Sequence, residues 1–71
     1  MGSVKKLSGR EIGRILETQG FMFIRQKGSH RIYKLGSART VIVPNHKEVT
    51  IGTLQSIIRQ SQLPRNLFES P

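Results

Sequence analysis

The sequence predicts an α+β fold with the element order α-β-β-β-α, in which two helices cover one face of a three-stranded antiparallel sheet. Apolar residues recur at helical spacing near both ends of the chain, and three short runs rich in branched and aromatic residues lie between them. Glycine-containing turns separate these runs, so consecutive strands should pair as hairpins. Two amphipathic helices can bury only one face of such a sheet, which leaves the other open to solvent or to a partner.

The first helix is predicted at residues 8–19. Ser8 and Glu11 have the S-x-x-E spacing of a capping box, in which each side chain satisfies a backbone N–H at the helix start. Gly20 supplies the left-handed conformation with which helices commonly end. The apolar positions after the cap share one face, as expected for packing on a sheet: Ile12, Ile15 and Leu16.

Three runs of branched and aromatic residues predict three strands: residues 21–27, 30–35 and 39–43. Gly28 and Ser29 form a Gly-X pair between the first two strands, which suits a two-residue type II′ hairpin turn. Pro44 ends the third strand, because proline cannot donate a hydrogen bond to the ladder.

The second helix is predicted to begin after Thr50, which can cap it, and Pro64 excludes a continuation. Its apolar positions fall on one face: Ile51, Leu54, Ile57 and Ile58. We expect residues 7–63 to form one domain, residues 1–6 to be disordered and residues 64–71 to form a C-terminal tail. The tail has two apolar side chains that can dock on the core: Leu67 and Phe68.

The two-residue turn fixes how the first two strands pair. Lys27 then lies opposite His30 and Ile24 opposite Tyr33, and opposed residues share a face. This register gives a core face of four apolar residues: Met22, Ile24, Tyr33 and Leu35. It also gives a basic open face: Arg25, Lys27, His30, Ile32 and Lys34, with Phe23 and Phe21 further along. The two phenylalanines either pack at the sheet edge or offer a stacking surface for an unpaired base.

The charge balance points to an acidic partner. Twelve Lys and Arg residues against four Glu residues give a net charge of +8, which favours nucleic acid over an acidic protein or a membrane surface. A chain of 71 residues is near the lower limit for folding alone, so a homo-oligomer or a hetero-oligomer would add stability. The sequence has no cysteine and no apolar run long enough for a membrane span or a secretory signal, so we expect a cytoplasmic protein.

His30 is the candidate catalytic residue, because it is a titratable side chain among permanent cations beside a turn. RNA carries its own nucleophile, the 2′-OH, and cleavage needs proton transfer and positive charge near the phosphate. Gly28 and Ser29 form the supporting turn, and a glycine amide can approach a phosphate closely. Four cations near this turn are candidate phosphate-binding residues: Arg25, Lys27, Arg31 and Lys34. In this register Arg31 falls on the opposite face from His30.

His46, in the polar loop after Pro44, is a secondary candidate, either as a second proton-transfer group or as an RNA contact. The chain has no aspartate and only four scattered glutamates, so neither a metal site nor another cofactor is expected. Four cations at the start of the chain and on the first helix would extend the phosphate track if they were not simply solvated: Lys5, Lys6, Arg10 and Arg14.

Several stretches carry a resemblance to a known family: Gly20-Phe21, the string R-Q-K-G-S-H at residues 25–30, Tyr33, V-I-V-P at residues 41–44, His46 and I-G-T-L at residues 51–54. These residues resemble the HicA family of mRNA interferase toxins, also called the YcfA-like family. The resemblance implies a fold like that of double-stranded-RNA-binding domains and metal-independent cleavage of mRNA, with His30 as the catalytic histidine. It also implies a type II toxin–antitoxin system and a HicB-type antitoxin that covers the active face. The chain departs from the family at residues 61–63, where Ala-Gly-Leu is usual.

Two other functions stay open on the sequence alone. The chain could be a non-catalytic RNA-binding module, in which the basic face binds phosphates and His30 is one contact among several. It could also be an interaction protein whose acidic protein partner explains the charge.

Overall fold

The computed structural model describes residues 6–69, and the element order is α-β-β-β-α followed by a short 3-10 helix. The predicted fold class is therefore confirmed. Of the segment predicted to be disordered, residues 1–5 lie outside the described residues. The elements are α1 (Gly9–Thr18), β1 (Met22–Lys27), β2 (His30–Leu35), β3 (Arg39–Pro44), α2 (Ile51–Ser61) and the 3-10 helix (Arg65–Phe68).

Both helices begin at the predicted caps. The Ser8 hydroxyl accepts a hydrogen bond from the Glu11 N–H at 3.0 Å, and the Glu11 carboxylate accepts one from the Ser8 N–H at 2.9 Å, which completes the capping box. The Thr50 side chain caps α2 by accepting from the Thr53 N–H. The prediction that Ile51 faces the core is wrong, since 47% of it is exposed. The buried stripe of α2 runs instead toward its C-terminus: Leu54, Ile57 and Ser61.

The sheet has the strand order β1-β2-β3, and both pairs of strands are antiparallel. Near the turn the register is the predicted one, with Lys27 opposite His30. A β-bulge at Ile24 then shifts the pairing, so Phe23 rather than Ile24 lies opposite Tyr33. An extra residue in one strand exchanges the faces of the residues beyond it. The predicted core positions Met22 and Ile24 are therefore wrong, and these residues are 68% and 49% exposed.

The core lies between the helices and the sheet face that carries Tyr33. Phe21 is buried in it, so the hypothesis of Phe21 as a base-stacking surface is wrong. Phe23 packs on the same side of the sheet, with its ring centroid 5.6 Å from that of Tyr33 in an edge-to-face arrangement. The core combines residues of both α-helices, β2, β3, the 3-10 helix and the segments that join the elements, whereas every residue of β1 is exposed. Its members are Leu7, Ile12, Leu16, Phe21, Tyr33, Val41, Val43, Val49, Leu54, Ile57 and Phe68.

The segment after Pro64 folds back onto the core. Residues Arg65–Phe68 form the 3-10 helix, and Phe68 is 1% exposed. Leu67 is partly buried against the same cluster. The sequence predicted that these two side chains of the C-terminal tail can dock on the core. Across residues 6–69, both α-helices are too short and too polar to cross a bilayer.

Candidate nucleic-acid interface

The sheet surface that faces away from the core is called the open face here. Strand pairing arranges its residues in three rows across β1, β2 and β3. His30 lies on the central strand, between Lys27 on one side and Pro44 on the other. The rows are Lys27–His30–Pro44, Arg25–Ile32–Ile42 and Met22–Lys34–Thr40.

The open face is positively charged. Arg25, Lys27 and Lys34 are exposed on it, and the three strands contain no carboxylate. The four glutamates of the sequence lie elsewhere, in α1, in the loop before α2 and after the 3-10 helix: Glu11, Glu17, Glu48 and Glu69. An anion that approaches this face therefore meets positive side chains and no negative ones, which favours a polyanion.

A tight turn places His30 at the start of β2. Gly28 has a φ of +60°, and the φ of Ser29 is not positive. This combination is the one that a type II′ turn requires. The Gln26 side chain donates to the Gly28 carbonyl at 3.0 Å and holds the turn from the opposite face. The His30 side chain is exposed and borders two grooves, one on the open face that also touches Lys27 and Gly28, and a second at the edge of β3 beside α2.

The loop at residues 45–49 brings His46 to the second of these grooves. Its backbone is fixed at both ends, since the Asn45 N–H donates to the Ser29 carbonyl at 2.6 Å and the Val49 N–H to the Leu7 carbonyl at 2.8 Å. The His46 carbonyl itself accepts from the Gly9 N–H at 2.9 Å. The two histidines of the chain therefore line one groove, a juxtaposition that sequence reasoning did not find.

Arg31 does not join His30. It lies on the opposite side of β2, where its Nε donates to the Tyr33 hydroxyl at 3.2 Å and its Nη1 to the Gln26 Oε1 at 3.2 Å. Its guanidinium carbon lies 4.4 Å from the centroid of the Phe23 ring, a cation–π contact. The structure therefore groups Arg25, Lys27 and Lys34 with His30, and places Arg31 with the aromatic residues of the other face.

Three polar residues of the α2 region complete the groove that the histidines share: Thr50, Thr53 and Gln60. The Gln60 Oε1 accepts a hydrogen bond from the Ile42 N–H at 3.4 Å, on the edge of β3 opposite to the one that pairs with β2. From sequence, Gln60 belonged only to the polar face of the second helix. Nothing local in the sequence signals its position, because the contact joins residues of separate elements.

Near the start of α1, a further groove touches the same loop. It is bordered by Arg10, Lys47 and His46, so His46 lies between it and the groove of His30. Lys6 is 3.8 Å from Glu48 in an exposed ion pair. Of the other candidate track residues, Arg14 is exposed on α1 and Lys5 lies outside the described residues. Within residues 6–69, no three His, Cys, Asp or Glu side chains come together as metal ligands would.

Comparison with known proteins identifies the family. A family model described as the HicA toxin of bacterial toxin–antitoxin systems matches residues 9–63, which is more than half of the chain. No match was found among curated proteins. The chain belongs to the HicA toxin family, as the resemblance in its sequence predicted.

Proposed function

We propose that this member of the HicA toxin family is an endoribonuclease that cleaves mRNA on the open face, with His30 as a catalytic residue. The observation that carries the proposal is the groove that His30 and His46 share, next to an open face on which Lys27 lies opposite His30 and the strands contain no carboxylate. Two imidazoles next to a cation supply the parts that RNA cleavage needs: a base, an acid and positive charge at the phosphate.

In the proposed reaction His30 takes the proton of the 2′-OH, and this oxygen attacks the adjoining phosphorus. The bond from phosphorus to the 5′-oxygen breaks, and His46 gives a proton to that oxygen. The products are a 2′,3′-cyclic phosphate and a 5′-hydroxyl, with one proton taken up and one released. The assignment follows from position, because His46 borders the further groove of Arg10 and Lys47, which suits the departing strand.

The cations of the open face take separate roles. Lys27, directly opposite His30, stabilises charge on the non-bridging oxygens, and the Gly28 amide approaches the same phosphate. Arg25 lies in the next row and Lys34 in the third, roughly 13 Å from His30 along β2 at about 3.4 Å per residue, so it contacts another phosphate of the strand. Arg31 is left out, because its guanidinium lies on the other face.

The proposal includes a partner and a place of action. A HicB-type antitoxin would neutralise the toxin by covering the open face, where Met22 and Ile42 are exposed beside the cations. An acidic antitoxin surface would complement this charge. The reaction needs no metal ion, and its substrate, mRNA, is found in the cytoplasm.

The test is an RNA cleavage assay with wild type and His30→Ala, with Ser37→Ala in the other hairpin turn as the matched control. His30→Ala should lose cleavage by roughly 100-fold or more, since general acid–base catalysis contributes about that factor or more. It should keep its circular dichroism spectrum and its RNA affinity. Chelator should have no effect, and RNA with 2′-deoxy at the cleavage site should resist. Unchanged cleavage by His30→Ala would refute the proposal.

One observation favours the alternative, a non-catalytic RNA-binding module: no hydrogen bond within residues 6–69 holds the His30 ring in one orientation. Catalytic hydrogen bonds often form only with substrate bound, so a ring without such a bond is also compatible with catalysis. The two functions differ in the same assay. A binding module would hold intact RNA with wild-type protein and leave it uncut, whereas an interaction protein for an acidic partner would not bind RNA even at low salt.

A further inference from the structure

Gln60 is the one amide side chain in the groove that His30 and His46 share. It lies seven residues after Thr53 on α2, which is about two helical turns, so both side chains line the same side of that groove. His30 and His46 line the groove from the sheet and from the loop. The helix side of the groove is thus neutral and polar, and the nearest cation of the open face, Lys27, borders the adjoining groove.

One hydrogen bond fixes which way the Gln60 amide points. The Ile42 N–H can only donate, so the oxygen of the amide must face β3, and Oε1 accepts at 3.4 Å. The two N–H donors of Nε2 then have no hydrogen-bond partner within residues 6–69. By contrast, the nearby Thr50 and Thr53 hydroxyls are bonded to each other at 3.0 Å. Gln60 therefore offers a donor, already oriented by the backbone, next to the histidines.

We infer that Gln60 reads the base beside the scissile phosphate and so sets the sequence preference of the cleavage. This inference rests on the proposed endoribonuclease function. Ile42 is two residues from Pro44, which pairs with His30. Gln60 therefore contacts β3 roughly 7 Å along the strand from the position of His30, at about 3.4 Å per residue. One nucleotide spans that distance, so the base whose phosphate lies at His30 reaches the amide.

The direction of the hydrogen bond sets the kind of base. A free glutamine amide pairs with adenine by using its oxygen and its nitrogen together. Here the oxygen faces β3, where it accepts from Ile42, so the N–H groups of Nε2 are what the amide presents to a base. These donors suit two adjacent acceptors, such as O6 and N7 of guanine or O2 and N3 of cytosine, whereas adenine and uracil have no two adjacent acceptors on a base edge. The base must be unpaired, because side chains cannot read base edges inside an A-form duplex.

The experiment compares the cleavage sites of wild type, Gln60→Ala and Gln60→Glu on one pool of unstructured RNA with randomised sequence, sequenced after partial digestion. Gln55→Ala, an exposed glutamine of the same helix, is the matched control. Wild type should prefer guanine or cytosine at one position beside the cut. Gln60→Ala should lower that preference at least about fivefold, the ratio that corresponds to about 1 kcal/mol, and should still cleave. Gln60→Glu, which offers only acceptors, should shift the preference toward bases with an amino group.

The outcomes separate the inference from the proposed function. If wild type cleaves and Gln60→Ala keeps the same preference, the inference is overturned while the endoribonuclease stands. A preference for adenine that Gln60→Ala abolishes would also overturn it, because the oriented amide would then not act as a donor alone. If wild type does not cleave RNA, the proposed function fails and the inference falls with it.

Discussion

In the proposed reaction His30 and His46, which line one groove, serve as base and acid, and deleting either one does not show which role it has. Loss of either proton-transfer group slows cleavage of ordinary RNA, whichever step it serves. The 5′-oxygen leaves only when it is protonated, whereas a sulfur in its place leaves without an acid. An RNA with sulfur at the 5′-bridging position of the cleavage site therefore isolates the acid.

We expect His46→Ala to cleave ordinary RNA roughly 100-fold or more slowly than wild type and to cleave the sulfur-substituted RNA at close to the wild-type rate. His30→Ala should be slow on both substrates, because the 2′-OH still needs a base. The measurement is single-turnover cleavage of the two RNAs by each variant. Recovery of His30→Ala but not of His46→Ala would reverse the two roles.

The absence of a side chain at Gly13 allows α1 to pack closely on the sheet. A Cβ atom at Gly13 would overlap the hydroxyl of Tyr33, which is buried and hydrogen-bonded to Arg31. A glycine in a helix normally costs about 1 kcal/mol relative to alanine, so its presence here has a packing reason. A Cβ at Gly52 in α2 would meet no atom within 4 Å apart from its chain neighbours and the backbone of its own helix, so Gly52 serves as a comparison.

Gly13→Ala should lower the free energy of unfolding by about 1–3 kcal/mol, the usual cost of overpacking a core. Gly52→Ala should raise it by up to about 1 kcal/mol, because alanine favours the helix and meets no obstacle. Urea denaturation of the two variants and wild type measures both changes. A Gly13→Ala variant more stable than wild type would show that α1 does not pack this closely on Tyr33.

At the scale of the element, the two helices end differently. Helix α1 is followed by Gly20, whose φ is +96°, whereas α2 ends at Gln62 with a φ of +58°. Left-handed backbone costs a residue with a side chain about 1–2 kcal/mol, and glycine almost nothing. This is the position at which the chain departs from the Ala-Gly-Leu usual in the family, so the departure has a direct structural cost.

Gln62→Gly should therefore raise the free energy of unfolding by roughly 0.5–1 kcal/mol, after the greater flexibility of glycine in the unfolded chain is subtracted. The control is Gln19→Gly at the end of α1, where φ is −102° and glycine relieves no strain, so stability should fall slightly. Thermal and urea unfolding of both variants give the comparison. Equal effects of the two substitutions would contradict strain at Gln62.

The elements also show which features a sequence of this kind can predict. The caps at Ser8 and Thr50 and the turn at Gly28 were predicted because each depends on residues within four positions of one another. The bulge at Ile24 was not, because Phe23 and Ile24 are both apolar and either can face a core. Alternation then gives two acceptable registers, and only packing against the helices distinguishes them.

The geometry of the candidate site could be predicted to the same extent. His30 and its turn were found from a local string, and the structure groups it with Arg25 and Lys27 as the register near the turn implied. The approach of His46 and Gln60 was not predictable, since it depends on hydrogen bonds such as Gly9 to His46 and Ile42 to Gln60. These join residues far apart in sequence, and no pattern in either segment requires them.

In the whole molecule, one face of the sheet is closed by the helices and the other is left open. The helices and the 3-10 helix close one face of the sheet with Phe68, and the glutamates lie outside the strands. The open face retains cations and exposed apolar residues. A small protein that leaves one sheet face uncovered loses burial that it could have used, so this face is expected to be where a partner binds.

The whole-molecule charge gives a quantitative expectation for RNA binding. Affinity for single-stranded nucleic acid falls with salt, and the slope of log affinity against log salt is about −0.7 for each phosphate neutralised. Arg25→Gln and Lys27→Gln, measured in a His30→Ala background so that RNA stays intact, should each flatten the slope by about 0.7. Arg14→Gln on the exposed side of α1 should leave it unchanged, since that side lies across the core from the open face. If Arg14→Gln flattened the slope and the two strand variants did not, RNA would bind along α1, and the open face would not be its binding surface.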